Sequence, residues 1–503
     1  MSLTTRRMFA TGRPRRFIRL AHGALLALGW MTLGCHDLTN QPLPAGTFDP
    51  GTVKNAAGAR KMAVAARAQF QFALVNFIPA VGLLTDELQA NTRGTTLPNN
   101  AFPDATVAVD ARILPPGATG IGGLFSDQVY TTLQQLRVID NQALGALLTY
   151  DADSSAHQRG ELYAQEGYAE VMLADLFCSG VPLSTSDFQK DFTYKPSSTT
   201  QQVYQHAIVL FDSAVTLAGD STAIVNFAKI GKARAQLALG SYVDAVQTVN
   251  GIPTAFAYTQ PIFTCQFVAQ PCFVSGVQAI LNLASIGSMS DREGGVGLSY
   301  RSSYDPRTAP LSDPIETVNG NAVWFPAKYT LGGVSAIVVA SGIEVQLLTA
   351  EADVASNGTQ WLTILNALRT TGSYDAVDTV VVSVTPNPTN PAVSDTTFRY
   401  DTAWAPGSGG VGHLGPLQDP GTAAARIDLV FRERAFWLYL TGSREGDLRR
   451  LIHTYHRSKS SIYPSGRYPG VGNYGDNADA PVPSVGPNSE SPNPYFKGCL
   501  SRD

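Results

Sequence analysis

The sequence predicts a mostly α fold: tetratricopeptide-like helical hairpins forming a scaffold, with long irregular loops and a few short strands. Three observations lead there. Two stretches read as helix, tight turn, helix; apolar residues recur at helical spacing over much of the remaining chain; and the Gly-, Pro- and Ser-rich segments between them are too long to be plain connectors. The chain has 503 residues, 44% of them hydrophobic and only 15% charged, which is enough to bury a large core.

The elements follow in order. Val53 to Leu88 reads as a long Ala-rich helix ending at Asp86-Glu87. Asn91 to Gly123, rich in Gly, Pro and Asn, reads as mostly loop. Helical patterns resume at Leu124–Leu148 and Gln158–Phe177, the second stopped by Gly180 and Pro182. "TTQQVYQHAIVLFDSAVTLA" and "FAKIGKARAQLALGSYVDAVQTVNGI" then give two helices, an "LGSY" turn and a third helix from Tyr242, with Ala235, Ala238, Gly240 and Ala245 small enough for close packing. Ser341 to Gly372 repeats the plan around an "NG" turn. Pro253 to Ala340 and Ser373 to Gly421 are loop-like, the latter with the β-prone "VDTVVVSVT". Near the end, "FRERAFWLYLTGSREGDLRRL" predicts a helix over about Arg426 to Leu440, a Thr441-Gly442 turn and a second helix from Arg444. Glu433, Arg434, Arg444 and Asp447 are expected to pair across that hairpin.

The first 34 residues read as a bacterial lipoprotein signal peptide. Six arginines form a basic region, Leu20 to Leu33 an apolar one, and "TLGC" ends on Cys35, the expected lipidated residue. The apolar run is too short to span a bilayer. Arg6-Arg7 also fits twin-arginine export, with general secretion the favoured route. Residues 35–52 form a Pro-rich tether and 53–503 a single domain. Without the leader the chain carries 30 basic against 40 acidic residues, a net charge of −10. Nucleic acid and anionic lipid are therefore excluded as electrostatic partners, and the lipid anchor is what would hold the chain to a membrane.

Apart from Cys35, the cysteines are Cys178, Cys265, Cys272 and Cys499, an even number that allows three disulfide pairings. Cys265 and Cys272 are near enough to close a small loop, leaving Cys178 for Cys499; free buried thiols are the alternative. Catalytic and cofactor motifs fail on context. Gly407 to Gly412 matches G-x-G-x-x-G, but Pro406 precedes it and two prolines fall where the helix must begin. The Asp151-Ala-Asp153 stretch lacks the glycine and glutamate of a calcium loop. His453 and His456 have no third ligand nearby and read as cations at a helix end. No cofactor or metal is implied.

In combination and order, "TDEL", "GYAEVMLADLFCSGVPLS", "LALGSYVDAV", "AEADVASNG" with "LNALR", and "RERAFWLYLTGSREGDLRRL" resemble the SusD/RagB family of outer-membrane nutrient-binding lipoproteins. The tail from Tyr463 to Pro494 is similar as well. Where family members commonly carry an Arg-Glu pair before the apolar step, this chain has Phe436-Trp437. The resemblance implies a surface-exposed binding protein, not an enzyme. It would sit at the outer membrane facing the exterior, take up glycan or another oligomeric nutrient, and pass it to a SusC-like TonB-dependent transporter. Aromatic faces stack on sugar rings and amide or guanidinium groups bond hydroxyls, so the loop residues Asn91, Arg93, Tyr300, Tyr304 and Trp324 are the ligand-binding candidates. A surface glycan-degrading enzyme using loop carboxylates, or a helical-repeat docking adaptor, are the alternative functions.

Overall fold

The computed structural model describes residues 53–90, 105–114, 121–188, 192–261, 288–303, 305–308, 310, 316–318, 321–324, 326, 328, 336–371, 379–387, 390–401, 414–469, 472–484, 490 and 492–503. The chain divides into two compact units, Met1–Asp49 and Pro50–Asp503, and the first lies outside the described residues together with Cys35. The second is mostly helical, as the hydrophobic periodicity predicts.

The helices are α1 (Ala56–Leu84), α2 (Ala105–Asp110), α3 (Ile121–Tyr150), α4 (Ala156–Leu176), α5 (Thr200–Ala218), α6 (Thr222–Ala238), α7 (Tyr242–Val249), α8 (Gly342–Ala355), α9 (Trp361–Thr371), α10 (Ala423–Trp437) and α11 (Arg444–His453). Their starts are chemically marked. Asn55 accepts from Gly58 N–H, Ser341 from Glu344 N–H and Thr422 from Ala425 N–H. Thr199 and Gln202 form a reciprocal capping box at the start of α5.

Close packing of α4 on α5 and α6 depends on glycines. A Cβ on Gly160 would meet the Ala214 carbonyl oxygen at 3.0 Å, and one on Gly167 would meet the Phe211 ring at 2.8 Å. Gly231 of α6 faces the same ring, whose far atom a Cβ would approach to 2.4 Å. The space these glycines leave is filled by aromatics: Tyr168 stacks on Phe227 at 4.4 Å and Phe227 on Tyr258 at 3.8 Å, with Phe211 edge-on to Tyr168. Small residues at the helix contacts were legible in sequence as alanines; the glycines on the facing helix were not singled out.

The second hairpin, α8 and α9, turns at Asn357, whose φ of 56° is left-handed, and Gly358. Asp353 caps the second helix by accepting from Gln360 and Trp361 N–H. The β-prone stretch forms the antiparallel hairpin Thr379–Asn387 with Asn390–Asp401. Ala257–Pro261 pairs antiparallel with Ala336–Ser341, and Leu88–Gln89 with Ser288–Met289. The region read as mostly loop from Asn91 to Gly123 contains α2 and the first residues of α3, and 91–104 and 115–120 lie outside the described residues. Six residues are too few to show a 3.6-residue period, and α2 is held by tertiary bonds, its Asp110 accepting from Ala90 N–H and the Tyr468 hydroxyl.

Cys178 and Cys499 form a disulfide spanning 321 residues. It fastens the C-terminal tail to the end of α4, beside the isolated bridges Phe177 to Ala480 and Ser179 to Ser501. Cys265 and Cys272 lie outside the described residues. Because closing so long a loop removes much chain entropy from the unfolded state, the double substitution Cys178→Ser/Cys499→Ser is expected to cost about 2–5 kcal/mol. Denaturant titration of the purified variant checks this, and a loss under about 0.5 kcal/mol would contradict it.

Candidate functional site

The four residues that follow α1, Thr85 to Leu88, organise the surroundings of the predicted binding loops. Asp86 is fully buried. Its carboxylate accepts both Nε and Nη2 of Arg444, at 2.7 and 3.0 Å, and also the backbone N–H of Leu298 at 2.9 Å. Glu87 accepts from Leu440 N–H through Oε1 at 2.9 Å, and its carbonyl accepts from Ser290 N–H and the Tyr439 hydroxyl. Two adjacent acids therefore tie both the C-terminal hairpin and the segment 288–300 to the chain just after α1.

Burial raises the Glu87 carboxyl to about 8; the Leu440 N–H and Arg444 oppose this, and the neighbouring Asp86 adds to it. The folded state thus holds a proton that the unfolded chain releases near pH 4.3, and this contribution to stability falls as pH rises from about 4.5 to about 8. Glu87→Gln keeps the site neutral at every pH. Relative to that variant, the wild-type protein is expected to lose up to about 4 kcal/mol between pH 5 and pH 8. Parallel denaturant curves at the two pH values test it; equal pH dependence of the two proteins would refute it.

The candidate ligand residues separate sharply. Tyr300 is a correction: it is 0% exposed, packed on Phe436 at 5.3 Å and Tyr439 at 4.8 Å between ring centroids, with its hydroxyl toward Asp86. A large aromatic beside a buried ion pair serves the core and has no face to offer a ligand. Asn91, Arg93 and Tyr304 lie outside the described residues. Trp324 is half-buried, and its backbone is fixed on both sides: its carbonyl accepts from Met289 N–H at 2.9 Å and its N–H donates to Ser288 Oγ at 2.8 Å.

Sequence reasoning missed Arg301. Its guanidinium lies 4.5 Å from the centroid of the Trp324 ring, with Asp291 3.5 Å away, and its side chain is 30% exposed. The stacked pair presents a planar apolar edge next to charged N–H donors, the combination that recognises a hydroxylated ring. No local signal in the sequence marks Arg301, because its partner Trp324 is brought to it by the fold. Among the described residues, no group of three or more His, Cys, Asp or Glu side chains is placed to hold a metal ion.

Behind this face most charged residues of the C-terminal hairpin, from Glu433 to Arg450, are internal, while Asp428 and Arg432 are exposed. Arg434 donates to Asp447 at 2.8 and 2.9 Å, the one pairing across the hairpin that matches expectation. Asp447 and Glu351 share Arg450, whose bonds measure 2.7 to 2.9 Å. Glu433 instead reaches out of the hairpin to Arg307 at 2.8 Å and Arg369 at 2.5 Å, and Arg444 reaches Asp86. The pairing of Glu433 and Arg444 across the hairpin is thus corrected, because neighbouring elements bring oppositely charged groups closer. Phe436 and Trp437 place their rings 5.2 and 5.0 Å from the Arg307 guanidinium, joining this network through their π faces.

No protein-family model and no curated protein matches the sequence. Solved structures do match the fold. A SusD-like protein from Bacteroides fragilis superposes with a TM-score of 0.57 at 12% identity, covering 92% of this chain and 100% of its own. A SusD homolog from Bacteroides thetaiotaomicron gives 0.53 at 14% identity over 92% and 99% of the two chains. A SusD superfamily protein from Bacteroides vulgatus gives 0.53 at 10% identity over 89% and 99%. Over about nine-tenths of its length, the chain superposes on the SusD-like fold.

Proposed function

We propose that this chain is a surface-exposed nutrient-binding lipoprotein of the SusD/RagB type, which captures a glycan or other oligomeric nutrient and delivers it to a SusC-like TonB-dependent transporter. The observation that carries the proposal is the SusD-like fold extending over nearly the whole chain. The lipoprotein leader ending at Cys35 supports an anchored position at the outer membrane, facing the exterior. The Cys178–Cys499 disulfide agrees with export to an oxidising compartment. In this reading the protein binds its ligand without transforming it.

The proposed ligand face is the Arg301–Trp324 pair, with Asn91, Arg93 and Tyr304 as further candidates from the sequence alone. Its chemistry fits an oligosaccharide: ring faces for the apolar side of a sugar, and guanidinium and amide groups for hydroxyls. Two measurements test the proposal. Affinity purification of the full chain from membranes of its own cell should bring down a TonB-dependent barrel. Arrayed glycans should reveal a ligand whose affinity falls about tenfold or more in Trp324→Ala. Absence of both the barrel and any arrayed ligand would defeat the reading.

A further inference from the structure

A cleft of about 540 Å³ opens where three helix ends and the C-terminal tail meet, and it shares no lining residue with the Arg301–Trp324 face. Its walls are the start of α5, the end of α6, the end of α11 and the tail around Ser501 and Asp503. That volume is within the range of small-molecule sites, roughly 300–1,000 Å³. The disulfide and the Ser179 to Ser501 bridge hold the tail in place, so this wall is fixed covalently.

The electrostatics of the lining select the ligand. Arg449 is spent on Asp503 and on the carbonyls of Ala174, Asp175 and Phe177, and Arg450 on Glu351 and Asp447, so neither presents an unmatched positive charge to an anion. Asp503 accepts through Oδ2 from Arg449 at 2.7 Å and from His453 at 2.9 Å, so its side chain offers no unmatched negative charge to a cation. Burial opposes ionisation of Asp503, but the bonds from His453 and Arg449 outweigh it and hold the carboxyl below its ordinary range. Its Oδ1 makes no hydrogen bond within the described residues and remains an acceptor. The Thr200, Ser179 and Ser501 hydroxyls and the Gln201 amide are likewise unengaged there, while Ala238 and Leu239 supply an apolar floor. The first turn of α5 is already satisfied by the Thr199–Gln202 capping box, which removes the simplest argument for an anion at that helix end.

Hydroxyls, an amide and a charge-compensated carboxylate over a small apolar patch are the chemistry of polyol recognition. We propose that this cleft is a second binding site, for a small uncharged polyhydroxylated molecule the size of a mono- or disaccharide. The inference does not rest on the transporter-linked function above, and either can fail without the other.

The test is calorimetric titration of the full chain with glucose, galactose, xylose, maltose and cellobiose, and with glucuronate and glucosamine as charged comparators. At least one neutral sugar should bind saturably, and the charged comparators at least tenfold more weakly. Gln201→Ala and Ser501→Ala, substitutions at exposed positions, should each weaken that binding about tenfold without changing Tm. The proposal is overturned if none of the five neutral sugars saturates, or if a charged comparator binds as tightly. It is overturned equally if the binding withstands both substitutions and is lost in Trp324→Ala, which would place the sugar on the other face.

Discussion

Arg444→Ala is expected to destabilise the protein by about 3–5 kcal/mol, because it leaves the fully buried Asp86 carboxylate without its bidentate partner. The remaining bonds, from Leu298 N–H and the Tyr300 hydroxyl, carry no full charge, and the neighbouring Glu87 is itself acidic and supplies no positive one. Denaturant midpoints at unchanged slope measure the loss. The double substitution Asp86→Asn/Arg444→Ala should be less destabilised than Arg444→Ala alone, since the orphaned charge goes with it. A single variant within about 1 kcal/mol of the wild-type protein would show that the Asp86–Arg444 pair contributes little to stability.

Pairing confined to the hairpin would lower Tm on this substitution and leave ligand affinity nearly unchanged. The tertiary contacts alter the second part. Asp86 also holds the backbone of Leu298, three residues before Arg301, so weakening of the proposed ligand should accompany the loss of stability. Arg444→Ala with unaltered affinity would separate the clamp from the ligand face.

Glu433→Ala is expected to cost a similar amount, about 3–5 kcal/mol, by a different route. One fully buried carboxylate serves two guanidinium groups, Arg307 and Arg369, and its removal strands both inside the protein. Arg307 keeps Asp305 and Arg369 keeps the Gly415 carbonyl, so the cost stays below that of two isolated charges. Burial pushes the Glu433 carboxyl up, but Arg307 and Arg369 outweigh it and leave it below its ordinary range. The sign of the pH dependence follows. The stabilisation by Glu433 is present above the unfolded-state value near 4.3 and disappears as pH falls through the lower folded-state value. Glu433→Gln should therefore be clearly less stable than the wild-type protein at pH 6, and the gap should narrow below pH 4. A gap that is constant across that range would mean the pair makes no electrostatic contribution.

The two helical hairpins were legible because their signals are local. Apolar residues at helical spacing, Thr199 with Gln202, and the Asn357-Gly358 turn each act within a few residues of themselves. The C-terminal hairpin was legible for the same reason, but its first helix ends at Trp437, three residues before the expected Leu440, and Leu440 and Gly442 take φ of 51° and 81° in the turn that follows. The short helix α2 was not, since its stability comes from Tyr468 and Ala90, which lie far from it or outside it in sequence.

The candidate site was only partly legible. An aromatic in a loop reads the same whether it faces a sugar or the core: Tyr300 and Trp324 look alike in sequence, yet one is fully buried on Phe436 and Tyr439 and the other is half-buried under Arg301. Likewise, the charges of "RERAFWLYLTGSREGDLRRL" announced ion pairs but not their partners. Periodicity and caps determined the helices of this protein, because those forces act along the chain. The destinations of Glu433 and Arg444, the depth of Tyr300 and the stacking of Arg301 were decided only by tertiary structure, because a charge or a ring is satisfied by whatever the fold brings near it, however distant in sequence.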